Sequence, residues 1–166
     1  YDTIEINSTF YHSPTPRTAG SWAQRAESNP DFRFALKLLR AFTHDRTASA
    51  RDEKAVKDAL EPLVKRNRMG ALLVQFPWSF KYDRESRLYL TKLLECFKEY
   101  PRVVEVRHSS WDQSGFYDEL SDKGVGFCNI DQPRIGLSLG PSDKAIGTVG
   151  YVRLHGRNYQ DWFREN

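Results

Sequence analysis

Short apolar runs that turn polar at their last residues recur along this chain. The run from Val103 to Trp111, VVEVRHSSW, shows the pattern best. Val103, Glu105 and Arg107 project from one face of a strand and Val104 and Val106 from the other, because side chains alternate along an extended backbone. TIEINSTFY, FRFALK, ALLVQFP, GFCNID and YVRLHGRN repeat the shape. The alternation predicts strands near residues 3–7, 32–37, 71–76, 103–107, 125–131 and 150–155. Strands with apolar beginnings and charged carboxyl ends describe a parallel sheet whose ligand site lies at one rim.

Between these runs the period changes. Residues 19–26 have helical spacing around Trp22 and are stopped by Asn29, Pro30 and Asp31. Ala55, Val56, Ala59, Leu60 and Leu63 recur at helical intervals, and the segment 38–51 before them, with His44, Asp45 and Arg46, reads as a loop. Residues 88–100 form an amphipathic pattern through Leu90, Leu93, Leu94 and Phe97, ended by Pro101. A short helix over 116–123 closes on Gly124. From Gln132 to Val149 there is no periodicity, and Pro133, Gly136, Gly140, Pro141 and Gly147 mark a long excursion of the kind that forms lids and binding loops. Strand, loop and helix repeat at intervals of roughly 30 residues, the length of a βαβ unit. Right-handed crossovers between such units give either an open doubly wound sheet or a closed barrel. No GxGxxG or GxxxxGK[ST] follows a strand, and every predicted strand ends polar, so the barrel is the better expectation.

Composition changes this picture little. The 166 residues suffice for one domain; 39% hydrophobic and 28% charged residues are ordinary for a globular protein. A net charge of +3 is too mild to argue for nucleic acid, which needs a localised basic patch. Cys96 and Cys128 form no CxxC pair, and two free thiols fit a cytoplasmic protein. No apolar run approaches the roughly 18 residues of a membrane span, so no membrane partner is expected. The chain opens on Tyr1 and is read as an excerpt of a longer one.

TIEINSTFY, FRFALK with the downstream THDR, LLVQFPWSF, VVEVRHSSW and YVRLHGRN, in this order, resemble the DUF72 (YecE-like) family. The resemblance covers nearly the whole chain. It implies a TIM-barrel-like fold and a family without an established general activity. It also implies a strand of the IGTSGW kind before the first motif and a final strand beyond the last, neither of which this sequence contains. The expectation is therefore an α/β fold, a partial parallel (β/α) barrel of six strands, with residues 1–166 as a single truncated barrel domain.

Carried onto this chain, the rim residues are Glu5, Asn7, Lys37, Gln75, Glu105, Arg107, Asp131, Arg153 and His155. Each sits at or just beyond a strand's carboxyl end, where barrel enzymes place catalytic groups. The plain alternative is an internal salt-bridge network. Burying charge costs several kcal/mol even after relaxation, whereas an inert scaffold can use apolar layers, so charges confined to one rim favour a site. All four histidines, His12, His44, His108 and His155, fall in or next to loops that follow strands. Glu105 or Glu5 is assigned as acid or base and His155 as proton relay. Lys37, Arg107 and Arg153 are assigned as an anion clamp, with Asn7, Gln75, Asp131 and Trp111 completing the substrate site. Trp78, Trp111 and Trp162 lie in loops where rings could stack, although loop tryptophans serve more often as packing plugs.

The favoured function is an enzyme acting on a phosphorylated or otherwise anionic sugar-like substrate, by hydrolysis or isomerisation. A metal-dependent nuclease or phosphoesterase is the second enzyme reading. A non-catalytic module binding a metabolite or a nucleic-acid end is the third, with nucleic acid the less favoured ligand. No cofactor is expected. No HxH, HExxH or HxxE spacing occurs, and a divalent metal bridging to a phosphate stays open as an alternative.

Overall fold

The computed structural model describes residues 1–133 and 135–156. The chain forms two compact units, one of Tyr1–Gln75 with Leu93–Arg102, the other of Phe76–Lys92 with Val103 onward.

In the first unit β1 (Thr3–Ile6), β2 (Arg33–Lys37) and β3 (Met69–Gln75) pair in parallel, in chain order. Glu5 lies beside Ala35, and Ala35 and Lys37 beside Ala71 and Leu73. Paired residues share a face, so Glu5, Lys37 and Gln75 project from the same side of this sheet. Helix α1 (Pro16–Arg25) starts earlier than its apolar spacing predicts, because Thr15 accepts the Thr18 N–H at 3.1 Å and Pro16 occupies the first turn. A one-turn helix, α2 (Arg40–Thr43), stands where a loop was expected. Helix α3 (Ala50–Lys65) is longer than its apolar stripe, since Ser49 and Asp52 form a reciprocal capping box. Its buried face is Val56, Ala59, Leu60 and Leu63, as predicted, whereas Ala55, expected on the same stripe, is exposed. Leu36, Leu38, Leu60, Leu63, Leu72, Leu73 and Phe97 are the largest fully buried side chains here.

Helix α4 (Arg84–Cys96) begins and ends about a turn before the predicted 88–100. Asp83 accepts the Ser86 N–H at 2.8 Å and starts it. In the second unit β4 (Arg102–Glu105), β5 (Gly126–Asp131) and β6 (Tyr151–Leu154) are parallel neighbours, with α5 (Ser114–Asp122) between β4 and β5 in sequence. Each strand is shorter than predicted by a residue or two, so Arg107 and His155 lie just past their strands. Gly124, at φ +61°, provides the left-handed turn after α5. The core is aromatic: Phe76 stacks on Phe80 at 3.9 Å, Phe80 on Trp111 at 5.2 Å, and Trp111 meets Phe116 at 4.8 Å.

Among its described residues the excursion beyond β5 forms no helix and no named strand. It is pinned at two places. Asn129 accepts from Lys144 N–H (2.9 Å) and Ser142 Oγ (2.6 Å) and donates to the Lys144 carbonyl (2.9 Å). Closer to β4, the Leu139 N–H donates to the Arg107 carbonyl and the Ser109 N–H to the Leu137 carbonyl, each at 2.8 Å, with His108 and Ser138 paired antiparallel.

Candidate functional site

The carboxyl end of β4 carries a charge cluster that the pleat assembles. Glu105 follows Val103 on one face, and the parallel register places that face beside Gly126, Cys128 and Ile130 of β5 and Tyr151 and Arg153 of β6. The Glu105 side chain is wholly buried. Arg107 Nε donates to its Oε1 at 2.9 Å and Arg153 Nη1 to its Oε2 at 2.8 Å; Cys128 Sγ lies 3.9 Å from Oε2. A lone carboxylate at such depth would cost several kcal/mol, so the two guanidinium groups are the condition of its burial. The arginines are less deeply set, with side chains 27% exposed at Arg107 and 15% at Arg153. Glu105 thus faces inward and fixes one edge of each guanidinium.

Arg107 is held twice, through its side chain by Glu105 and through its carbonyl by Leu139. Beyond it opens a cleft of about 480 Å³ lined by Trp78, Arg107, Gln132, Pro133, Ile135, Gly136 and Ser138. That volume lies in the range of small-molecule sites. Trp78 is 45% exposed, and the His108 ring braces it at 5.0 Å between centroids. His108 is buried; its Nδ1 accepts the Ser110 N–H at 3.1 Å and contacts Ser110 Oγ at 2.8 Å. Its Nε2 is buried without a hydrogen-bond partner among the described residues. Burial, reinforced by the nearby Lys81 charge, pushes the His108 imidazole below its ordinary range and keeps it neutral.

The other expected site residues divide by unit. Glu5, Lys37 and Gln75 share a sheet face in the first. Lys37 Nζ stands 3.9 Å from the Phe10 ring centroid, and its carbonyl accepts from Thr9 Oγ1 at 2.7 Å. Asn7 is exposed and precedes a short 3₁₀ turn at residues 8–10. In the second unit Arg107, Arg153 and Glu105 come together, while Asp131 ends β5 on the face of Phe127 and Asn129. His155 is half-buried just past β6, its N–H donating to the Asp131 carbonyl at 2.8 Å. Trp111, expected as a substrate contact, lies in the core. It is wholly buried, stacks on Phe80 and donates Nε1–H to the Phe80 carbonyl at 2.7 Å, because so large an apolar surface in a short post-strand turn packs inward. Trp162 lies outside the described residues. Gln132 and Ser138 were missed as site residues, since the excursion has no periodicity to show which of its side chains line a cleft. Trp78 was legible only as a loop aromatic.

Among the described residues no group of three His, Cys, Asp or Glu side chains is placed to hold a metal ion. None of their helices is long and apolar enough to cross a membrane.

Parallel strands with a buried, arginine-framed carboxylate at their carboxyl ends define an α/β protein of the barrel type with a polar rim. The chain belongs to the DUF72 family: it matches the family described as "Protein of unknown function DUF72" over residues 1–166. It is 28% identical to the UPF0759 protein YunF of Bacillus subtilis, over 97% of this chain and 61% of that protein. A DUF72 family protein of Thermotoga maritima, solved by crystallography, is 31% identical and superposes over 100% of this chain and 64% of its own with a TM-score of 0.83. A DUF72 family protein of Enterococcus faecalis, at 24% identity, shares the fold, with a TM-score of 0.86 over 97% of this chain and 68% of its own. The expected fold class, a partial TIM-barrel-like parallel α/β fold of six strands, is therefore the one found. The chain spans 61% of the curated relative's length and 64% of the Thermotoga structure's.

Proposed function

We propose that the rim of β4 and β6 binds an anionic small molecule and that the protein acts on it as an enzyme. One observation carries the reading: a fully buried Glu105 holds the guanidinium groups of Arg107 and Arg153 at 2.9 and 2.8 Å. Such a frame fixes charged donors before any ligand arrives, which lowers the ordering cost of binding. Both carboxylate oxygens are occupied, so Glu105 serves first as the positioning residue of the clamp. The proton relay falls to His155, at the end of the strand that carries Arg153. A phosphorylated or otherwise anionic substrate suits the clamp, because guanidinium groups grip phosphate and carboxylate in two-pronged fashion. Hydrolysis or isomerisation remains the proposed reaction class.

Thermal-shift titration with inorganic phosphate, sugar phosphates and carboxylates tests the clamp. Anions raise the melting temperature of the protein, and Arg107→Gln abolishes the rise. Equal shifts in protein and variant would remove the clamp. The metal-dependent phosphoesterase reading predicts a stoichiometric divalent metal in freshly purified protein and a loss of phosphodiester cleavage on chelation.

A further inference from the structure

We infer that the cleft beside Arg107 takes a flat aromatic carboxylate, a ring bearing one anionic group, with the ring lying against Trp78. The inference rests on the anion-binding reading and specifies the body of the ligand.

Three features of the lining point this way. Arg107 is the one charged side chain among the described lining residues; its partner Glu105 lies behind it and does not line the cleft. Its Nε is already engaged by Glu105, which leaves the outer edge of the guanidinium, the two terminal nitrogens, as the free fork. That edge matches one carboxylate bidentately, whereas a phosphate dianion calls for more than one cation or further N–H donors. The remaining wall is mainly apolar. Trp78, Pro133 and Ile135 offer ring and aliphatic surface, while Ser138 spends its hydroxyl on the Ile135 carbonyl and the Gln132 amide makes a long 3.5 Å contact with the Leu139 carbonyl. A hexose would bring several hydroxyls to a wall with few partners for them, and each buried without one is unfavourable. A flat ring loses nothing there and gains the exposed indole. Trp78 is also fixed: the His108 ring braces it at 5.0 Å, and Lys81 Nζ lies 5.8 Å from its centroid. An indole held in place and left 45% exposed is a stacking platform rather than a packing plug.

The probe is 2-naphthoate, titrated by calorimetry against the intact chain, with 2-naphthamide, cyclohexanecarboxylate and glucose 6-phosphate as comparisons. We expect 2-naphthoate to bind at one site, and the neutral amide and the saturated ring each to bind about tenfold more weakly or worse, a difference that calorimetry resolves. Trp78→Ala weakens naphthoate by about tenfold and leaves the fold intact, since the side chain is half exposed; Trp78→Phe restores part of the loss. Arg107→Gln removes binding, and Arg107→Lys, which keeps the charge without the fork, recovers only part. Naphthoate binding indifferent to Trp78, or matched by cyclohexanecarboxylate, overturns the aromatic class. Glucose 6-phosphate bound through Arg107, with naphthoate unbound, overturns it too but leaves the anion clamp standing. Indifference of every anion to Arg107 overturns both.

Discussion

Glu105, fully buried, is the shared countercharge of two guanidinium groups. Replacing it with Gln leaves Arg107 and Arg153 without their shared countercharge and sets amide N–H groups against guanidinium N–H groups. Breaking a buried ion pair in this way costs about 3–5 kcal/mol. Chemical denaturation of Glu105→Gln should show a loss of that order, and its anion affinity should fall even in molecules that remain folded. His108 gives a prediction in pH. Its folded pKa is depressed by burial and by Lys81, so the unfolded chain takes up a proton near pH 6.5, its ordinary value of about 6.5, before the folded chain does. Stability present above that value is therefore lost as pH falls through it toward the lower folded pKa. His108→Asn retains an acceptor for the Ser110 N–H but cannot protonate, and melting curves from about pH 7 to 5.5 should flatten in that variant. At this scale alternation made the Glu105–Arg107 pair legible, because residues two apart share a face. Arg153 could be placed on the rim, yet its contact with Glu105 depends on the register of β4, β5 and β6, which no local pattern encodes. Trp111 reads on its own as a loop residue; its burial follows from Phe80 and Phe116, far from it in sequence or hidden by the turn between.

The elements were legible wherever apolar spacing marks them, and their ends were not. α3 illustrates the gap: Leu63 and Val56 report the buried stripe, while the helix extends to Ala50 because of polar Ser49 and Asp52. Ser49→Ala should cost about 1 kcal/mol, the usual value of an N-cap, measured as a shift in the unfolding midpoint. α1 and α4 begin early for the same reason, at Thr15 and Asp83, which hydrophobic periodicity ignores. The excursion after β5 was legible only as irregular. It also passes close to the start of β5 at Gly147, at φ +71°, where a Cβ would lie 2.6 Å from the Val125 carbonyl carbon. Gly147→Ala combines a left-handed backbone with a steric overlap against β5, and should destabilise by about 2 kcal/mol or more on thermal unfolding.

Taken as a whole, the chain shares the fold of the Thermotoga maritima DUF72 protein and spans about three fifths of the curated relative's length. β1 and β6 carry Ile4, Val152 and Leu154 at 47%, 64% and 76% exposure. Exposed apolar side chains on strands are association hazards. Val152→Thr with Leu154→Lys should raise the concentration at which the 166-residue chain stays monomeric, read by light scattering. The overall class was legible because each strand turns polar at its carboxyl end. The cleft was not, since it is built from a turn after β3, the end of β4 and an excursion that follows β5. The stitching of that excursion to β4 sets a timescale. The amide protons of Ser109 and Leu139 are locked into bonds across the join, so they can exchange with solvent only when the cleft wall itself opens. Their deuterium uptake is a clock for the rate at which the cleft comes apart and reforms.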